Sequence, residues 1–502
     1  MMKSNTINLN RRQFMKFATV AGAASFMGTF CQSSTIDRKL SRPNILFCLA
    51  DDWGWPHAGA CGDNVVKTPV FDRIAEEGVL FENAFVSSPS CTPSRNAILT
   101  GQQFYRLKEG ASLRSTLDVN LPNFMFLLRD HGYEIGRWRK GWGPGDFSKG
   151  GYTEYPCGPE SSFEDFMTHR DKNKPFCFWF GTSDPHRPYE KGSGQKSGIH
   201  INHVHVPEFY PDHEKIRSDI ADYYYEVQRW DKDVGKAIRL LEKSGALDNT
   251  IVVMTGDHGM PFPRCKANLY DYGTRVPLAF RWGDRIKSGR KVADFASFTD
   301  FAPTFLEAAG VEVPEQMTGK SLLPILESES SDKERDFIVF GRERHTPAQK
   351  MPSMEGYPAR ALRTDKWLLI LNLEPERWPA GVPTGATHPM NSHSDCDNSP
   401  TKSFLIDHKN DPELSRYYQL CFAKRPPVEL YDCDTDKDQV NNLAAKPEFA
   451  PVLKKLKQKL ESYLKSTSDP RFVESQANFD TYPYYADYLK EYLQKHGYEG
   501  LD

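Results

Sequence analysis

The stretch PNILFCLADD, residues 43–52, predicts the architecture of this chain. Its apolar, β-rich run is typical of a buried strand, and the strand ends in two adjacent carboxylates, Asp51 and Asp52. A second apolar run, TIVVMT at residues 250–255, is followed in a similar way by GDHG at residues 256–259. Functional sites collect at strand ends in open α/β sheets, and neighbouring carboxylates repel each other unless a cation lies between them. The two segments therefore predict an α/β sheet with a metal-binding site at one edge.

The order of elements extends this prediction to the whole chain. Strand and helix patterns alternate from residue 42 to about residue 330, which indicates a large, mostly parallel sheet with helices on both faces. After a charged, Ser-rich break at residues 328–333, the pattern changes to a small antiparallel sheet with a helix packed on it. The predicted elements are helices at 68–77, 216–244, 300–309 and 449–465, and strands at 43–50, 176–180, 250–255, 337–340, 359–363, 367–371 and 428–432.

The remaining segments are assigned by composition. Residues 374–400 are rich in Pro, Asn and Ser and form a predicted long loop, a length that usually marks a functional or disordered segment. The aromatic tail at residues 479–498 is expected to pack back on the core. We therefore divide the chain into a signal segment, a linker, a large α/β domain and a C-terminal subdomain with its tail, at residues 1–31, 32–41, 42–330 and 331–502.

The N-terminus has the pattern of an export signal. Arg11 and Arg12 precede a short apolar run at residues 17–30, which resembles a twin-arginine leader and is too short to span a membrane. We expect export to a bacterial periplasm after cleavage nearby, with lipid attachment at Cys31 as the alternative. That anchor is the only membrane contact that the sequence predicts.

Composition excludes some partners and permits disulfides. The 502 residues carry a net charge of −3, so no broad basic surface predicts nucleic-acid binding. An exported chain with ten cysteines can form disulfides, and Cys396, Cys421 and Cys433 are the best candidates by their clustering. No C-x-x-C pair occurs, which argues against structural zinc.

The segment SCTPSRNAILTG, residues 90–101, points to one chemistry. A Cys followed by x-Pro-Ser-Arg and an apolar run into Thr-Gly resembles the signature of type I sulfatases, members of the alkaline-phosphatase superfamily. A lone Cys is more often a small buried residue, but six specified residues in one run argue against that interpretation for Cys91. The resemblance implies that Cys91 is oxidised to formylglycine, whose hydrated aldehyde is the nucleophile in that family.

The same resemblance implies a metal site. In type I sulfatases, the positions that match Asp51, Asp52, Asp257 and His258 hold one Ca²⁺, which residue 91 also touches. Carboxylate oxygens suit Ca²⁺. His258 stands where the family often has Asn, and imidazole is a softer donor. Asp257 is also a candidate acceptor for the proton of the attacking hydroxyl.

Further site residues are implied by matching segments. Arg95 matches the family residue that holds the diol. His186, in SDPHRP (183–188), matches the histidine that contacts sulfate and the leaving group. Lys266 matches the cation that binds sulfate. The family's Gly-Lys-x-His segment corresponds to GRWRKGWGPG (136–145), which contains no His. Lys140 is our choice for the lysine, with Arg137 or Arg139 as alternatives, and what replaces the histidine is left open.

The resemblance covers nearly the whole mature chain and implies a sulfatase fold and activity. Residues 256–277 are most similar to heparan N-sulfatases (sulfamidases), and bacterial enzymes of this kind include ulvan sulfatases. We expect hydrolysis of sulfated carbohydrate, with O- versus N-sulfate open, after maturation by a formylglycine-generating or anaerobic sulfatase-maturating enzyme. The alternatives are a two-metal phosphatase or phosphodiesterase of the same superfamily and a non-catalytic binder of sulfated glycans.

Overall fold

A seven-stranded mixed sheet forms the centre of the computed structural model, which describes residues 42–328, 331–349, 351–384, 392–474 and 477–497. Its strands are β1 (Asn44–Ala50), β2 (Val79–Phe85), β3 (Glu134–Trp138), β4 (Phe176–Gly181), β5 (Thr250–Gly256), β6 (Leu278–Arg281) and β7 (Arg290–Ser297). They are arranged in the order β3-β4-β1-β5-β6-β2-β7. β6 is antiparallel to both of its neighbours, and the other six strands share one direction.

Helices cover both faces of this sheet. They are α1 (Pro69–Glu76), α2 (Cys91–Thr100), α3 (Phe124–Asp130), α4 (Phe163–His169), α5 (Ser193–Lys196), α6 (Glu214–Lys243), α7 (Asp271–Thr274), α8 (Phe301–Ala308) and α9 (Leu323–Glu327). Alternate residues of β1 enter two separate cores, one with α6 and the other with α3 and α8. Residues 45–50 are uniformly apolar because both faces of this strand are buried.

A second, four-stranded sheet is fully antiparallel. It contains β8 (Phe337–Arg342), β9 (Ala359–Thr364), β10 (Trp367–Asn372) and β11 (Val428–Asp432) in the order β11-β10-β9-β8. The later helices are α10 (Pro400–Asp407), α11 (Ser415–Phe422), α12 (Ala450–Ser466), α13 (Pro470–Val473) and α14 (Asp487–Lys495). Leu456, Leu460 and Leu464 repeat every four residues along α12 and pack against this sheet.

The predicted fold class is confirmed, and the predicted elements are displaced by only one or two residues at their ends. Described parts of the 374–400 loop contain no helix or strand before Pro400. The tail packs back as expected through Tyr484, Leu489 and Leu493. The described residues from 42 onward form one compact unit, so the boundary at residue 330 stays a prediction.

Two further expectations concern export and cysteine pairing. The signal segment and Cys31 lie outside the described residues, and no described helix is long and apolar enough to cross a membrane. The disulfide expectation is wrong for the part of the chain that the structure describes, where all nine cysteines are free. Cys433 packs beside the small sheet, whereas Cys396 and Cys421 lie in the core against the large sheet, so closeness in sequence did not bring the three thiols together.

Candidate active site

Two neighbouring strand ends bring the predicted acidic residues together. β1 and β5 are parallel and in register to their last residues, where Ala50 lies opposite Gly256. Asp51 and Asp52 therefore leave the sheet beside Asp257, and the Asp52 amide donates to Asp257 Oδ1 at 2.9 Å. All three carboxylates are buried.

Cys91 lies at the first turn of α2, directly over these strand ends. Its Sγ is 3.3 Å from His258 Nε2 and 3.6 Å from Asp51 Oδ1. The helix is held in place because the Ser94 hydroxyl donates to the backbone oxygen of Asp257 at 2.6 Å. The partial positive charge of the α2 N-terminus points at residue 91 and favours an anion there. Burial raises the pKa of the Cys91 thiol, so as a cysteine it is neutral.

The donor atoms around Cys91 suit a cation. Ligand atoms of Asp51, Cys91, Asp257 and His258 all lie within 4.8 Å of one another. His258 Nδ1 lies 3.1 Å from the oxygen of Gly259, and donation to it assigns the proton to Nδ1 and leaves a lone pair on Nε2. That lone pair faces Asp52 Oδ1 at 3.1 Å, yet this buried oxygen has no hydrogen-bond partner. Lone pairs that converge without a proton between them are stabilised by a metal ion.

Two basic side chains, Arg95 and Lys140, balance the charge of the buried carboxylates. Arg95 is fully buried and donates through Nε to Asp257 at 2.8 Å and through Nη1 to the Gly141 carbonyl at 2.6 Å. Lys140 Nζ lies 2.5 and 2.6 Å from the two oxygens of Asp51. Burial alone would raise the pKa of Asp51, but Lys140, with His186 and Arg95, holds that pKa well below its usual range.

The structure separates Lys140 from its two alternatives. The Arg137 guanidinium lies 3.8 Å from the centre of the Tyr155 ring and pairs with Glu160. The Arg139 guanidinium lies over Trp138, and Arg139 has a backbone φ of 51°. Of the three predicted candidates, the structure brings only Lys140 to the Cys91 cluster.

Lys266 and His186 lie beside Asp52. Lys266 Nζ donates to Asp52 Oδ2 at 2.9 Å and to Asp397 Oδ2 at 3.0 Å. His186 Nε2 is 3.9 Å from Asp52 Oδ2, and its Nδ1 is 2.6 Å from the Arg187 oxygen. The structure thus brings all nine predicted site residues into one cluster.

Sequence reasoning missed two neighbours of this cluster. Asp397 is supplied by the long loop before α10, and the loop's length was the only signal. Burial alone would raise the pKa of Asp397, but the charges of Lys266 and then His186 keep it below its usual range. His345, just beyond β8, has Nδ1 2.8 Å from the Ser90 hydroxyl, and burial lowers its pKa to about 3. No local pattern marks it.

Known proteins are similar to this chain over most of its length. A family model described as "Sulfatase" matches residues 43–311, and one described as "N-sulphoglucosamine sulphohydrolase, C-terminal" matches residues 256–378. An ulvan-active sulfatase of Formosa agariphila is 28% identical over 87% of this chain and 82% of its own length. The human N-sulphoglucosamine sulphohydrolase is 29% identical over 86% of this chain and 91% of its own.

A solved structure shares the fold. It is a protein in complex with its substrate D-glucosamine-2-N,6-O-disulfate, with a TM-score of 0.61 and 22% identity over 87% of this chain and all of the other. Since the first family model spans more than half of the chain, the class of protein is a hydrolase of sulfuric esters. The chain belongs to the sulfatase family.

Proposed function

We propose that this chain hydrolyses sulfate groups of sulfated carbohydrates, with residue 91 converted from Cys to formylglycine. The observation that carries the proposal is the position of Cys91 Sγ, among the carboxylates of two strand ends and within reach of the charges of Lys140 and Lys266. The relatives named for ulvan and N-sulphoglucosamine support a sulfated sugar as substrate. Sulfamidase activity on N-sulfate is the alternative within the same family.

Two groups complete the chemistry that we assign to this site. Formylglycine at residue 91 would supply a hydrated aldehyde as nucleophile and release sulfate without a stable ester. One Ca²⁺ held by Asp51, Asp52, Asp257 and His258 would polarise sulfate and stabilise negative charge. The unpaired Asp52 Oδ1 and the lone pair on His258 Nε2 support this ligand set.

The side chains of this chain would bind sulfate and move protons. Lys140 and Lys266 would share their charges between the carboxylates they now contact and the sulfate oxygens. Arg95 would hold the diol of residue 91 and fix Asp257, which would accept the proton of the attacking hydroxyl. His186, partly exposed and with Nδ1 held by a backbone oxygen, would protonate the leaving atom through Nε2.

A two-metal phosphatase or phosphodiesterase is the first rival. A second group of possible ligands exists at Asp52, His186 and Asp397. The Lys266 ammonium already lies between two of these carboxylates, which favours a lysine over a second metal. Metal analysis that finds two zinc ions per chain would support the rival instead.

The second rival is a non-catalytic glycan binder. Mass spectrometry of the peptide that contains residue 91 separates the two, because conversion to formylglycine removes H₂S and adds one oxygen. We expect the converted mass in protein made with a formylglycine-generating or anaerobic sulfatase-maturating enzyme. An unconverted cysteine in such protein would favour the binder.

Export is part of the proposal. The twin arginines at residues 11 and 12 support export to a bacterial periplasm. In this proposal the chain has the four segments defined above, and lipid attachment at Cys31 is the alternative to simple cleavage. Fractionation of cells that express the full chain tests this location.

The function is tested with a panel of ulvan, heparin, chondroitin sulfate and carrageenan oligosaccharides. We expect the purified, matured enzyme to release inorganic sulfate from at least one of them. On heparin, the appearance of free amines identifies the sulfamidase alternative, whereas sulfate without amines identifies O-sulfatase action. Release of phosphate from phosphoesters with no sulfate from any glycan would contradict the proposal.

A further inference from the structure

Asp397 occupies a position that the proposed chemistry does not require. Its Oδ2 accepts from Lys266 Nζ at 3.0 Å, and Oδ1 has no hydrogen-bond partner among the described residues. The side chain is 28% exposed, whereas that of Lys266 is 4% exposed. Asp397 thus lies between the buried sulfate-binding lysine and the solvent from which a substrate arrives.

The segment that carries Asp397 is held through the two residues before it, Asp395 and Cys396. Asp395 accepts from Arg342 Nη2 at 2.7 Å and from the Thr346 amide at 2.8 Å. Lys402 Nζ, on α10, donates to the Cys396 carbonyl at 2.7 Å. A carboxylate anchored in this way is preorganised, because little side-chain or loop freedom is lost when a ligand meets it.

Hydrogen bonds through Asp219 connect the start of α10 to the loop that contains His186, the candidate proton donor. Arg187, next to His186, pairs with both oxygens of Asp219 at 2.8 and 2.9 Å. Asp219 Oδ2 also accepts from the hydroxyl of Thr401, in the first turn of α10, at 2.6 Å. Asp397 and His186 are therefore presented together, on the side of the site where a leaving group would lie.

The charge of Asp397 decides what it can contact. A carboxylate repels sulfate oxygens, which have no proton to donate, so sulfate itself is not its partner. An ionised carboxylate only accepts hydrogen bonds, and its free Oδ1 matches an O–H or N–H donor. When a bound substrate covers this oxygen, an acceptor that is left unpaired discriminates strongly against ligands that lack the donor.

We infer that Asp397 is a specificity-determining residue that accepts a hydrogen bond from a hydroxyl or ammonium group adjacent to the sulfated atom of the substrate. The inference rests on the proposed function and narrows it to sulfated sugars with a free donor next to the sulfate. Sugars in which that neighbour is alkylated or acylated are poor substrates.

Three small aryl sulfates test this without knowledge of the natural glycan. Catechol monosulfate offers a neighbouring hydroxyl, 2-(aminomethyl)phenyl sulfate offers a neighbouring ammonium, and guaiacol sulfate has a methyl ether and no donor. The kcat/KM of each donor probe is divided by that of guaiacol sulfate, in wild type and in Asp397→Ala. Because each ratio is taken within one protein, general damage to the site cancels.

The expected result is a fall of about tenfold or more in one of the two ratios in Asp397→Ala, since a hydrogen bond to a charged group is lost. The ratio that falls identifies hydroxyl or ammonium as the donor. Asp397→Asn keeps a neutral acceptor, should show an intermediate fall, and serves if the alanine variant does not fold. Both ratios unchanged within about twofold in folded variants would overturn the inference.

A control substitution in the same loop, and the activity of the wild type itself, separate failure of this inference from failure of the proposed function. Glu376→Gln changes a 93% exposed carboxylate of the same loop and should leave both ratios as in wild type. If wild type cleaves only a glycan of the panel, that oligosaccharide and its O-methylated and N-acetylated forms replace the aryl probes. If wild type releases sulfate from no probe and no glycan, the proposed function has failed.

Discussion

Asp51 belongs to the proposed metal site and also contacts Lys140, one of the cations that we propose to bind sulfate. Lys140 contacts both of its oxygens, and Arg95 Nη2 lies 3.4 Å from one of them. The Lys140 side chain is 19% exposed, and its charge is fixed before a substrate arrives, so it needs no reorganisation to contact a sulfate oxygen. This preorganisation is the basis of our first prediction.

Lys140→Ala should lower kcat/KM for sulfate release by the equivalent of about 2–4 kcal/mol, the typical cost of one lost transition-state contact. Arg139→Ala is the matched control, because the Arg139 guanidinium lies over Trp138 outside the cluster. Steady-state kinetics of the two variants on one substrate decide the matter. A large loss in Arg139→Ala with a neutral Lys140→Ala would show that the sulfate-binding cation is Arg139.

Asp257→Asn should weaken Ca²⁺ binding and activity together. The substitution removes a charged ligand and also the partner of Arg95 Nε at 2.8 Å. Calorimetric titration of metal-free protein with Ca²⁺ measures affinity independently of turnover. If chelation leaves both activity and the melting temperature of the wild type unchanged, the metal assignment fails.

At the scale of elements, the loop before α10 depends on one buried ion pair. Arg342 and Asp395 are 4% and 3% exposed and 2.7 Å apart, and Arg342 also donates to the Ala267 carbonyl beside Lys266. Asp395→Ala should lower the free energy of unfolding by about 3–5 kcal/mol, because it leaves a buried guanidinium unpaired. Denaturant unfolding measures this change.

The control for this prediction is an exposed ion pair. Asp212 is 66% exposed and pairs with Arg217 at 2.5 Å. Asp212→Ala should change the free energy of unfolding by no more than about 1 kcal/mol. Equal effects of the two substitutions would contradict the idea that the buried pair anchors the loop.

Local patterns explain why most elements could be predicted from sequence. β1 and β5 contain continuous apolar runs, at residues 45–50 and 251–254, because both faces of each strand are buried. α12 repeats leucine every four residues against the small sheet. The strand ends could also be placed beside each other, because parallel strands end at one edge. The nine predicted site residues follow from these strand ends and from motifs.

Other features could not be predicted because they depend on contacts between distant segments. Asp397 lies 131 positions from Lys266, in a loop with no periodicity, and its role depends on the anchors at Asp395 and Lys402. His345 reaches Ser90 across 255 positions. The disulfide expectation was wrong because packing between distant segments decides which thiols meet. No local sequence pattern shows that Cys433 packs apart from Cys396.

At the scale of the whole molecule, three buried histidines link stability to pH. Burial lowers the pKa of His57 and His393 to about 4 and that of His345 to about 3. Each folded-state pKa lies below the unfolded value, so the unfolded chain binds the proton more tightly. The contribution of these histidines to the free energy of unfolding is complete above pH ~6.5 and is lost as the pH falls towards 4. Asp231, whose pKa burial raises to about 7, acts in the opposite sense.

His393→Gln should therefore reduce the pH dependence of stability. Between pH 6 and pH 4.5, the slope of the free energy of unfolding against pH should be smaller than in wild type. The reduction in this slope is at most about 1.4 kcal/mol per pH unit, the value for one proton. Denaturant titrations at several pH values measure the slope, and the exposed His200 provides a control through His200→Gln. An unchanged slope in His393→Gln would show that His393 is not held neutral.

The most direct test of the account is sulfate release by Cys91→Ala beside the matured wild type. The variant should fold, keep most of its Ca²⁺ affinity and release no sulfate above background, because the nucleophile is lost while the three carboxylates and both lysines remain. Cys61→Ala, at a partly exposed cysteine outside the site, should be as active as wild type. Sulfate release by folded Cys91→Ala at a rate comparable to wild type would contradict the formylglycine mechanism.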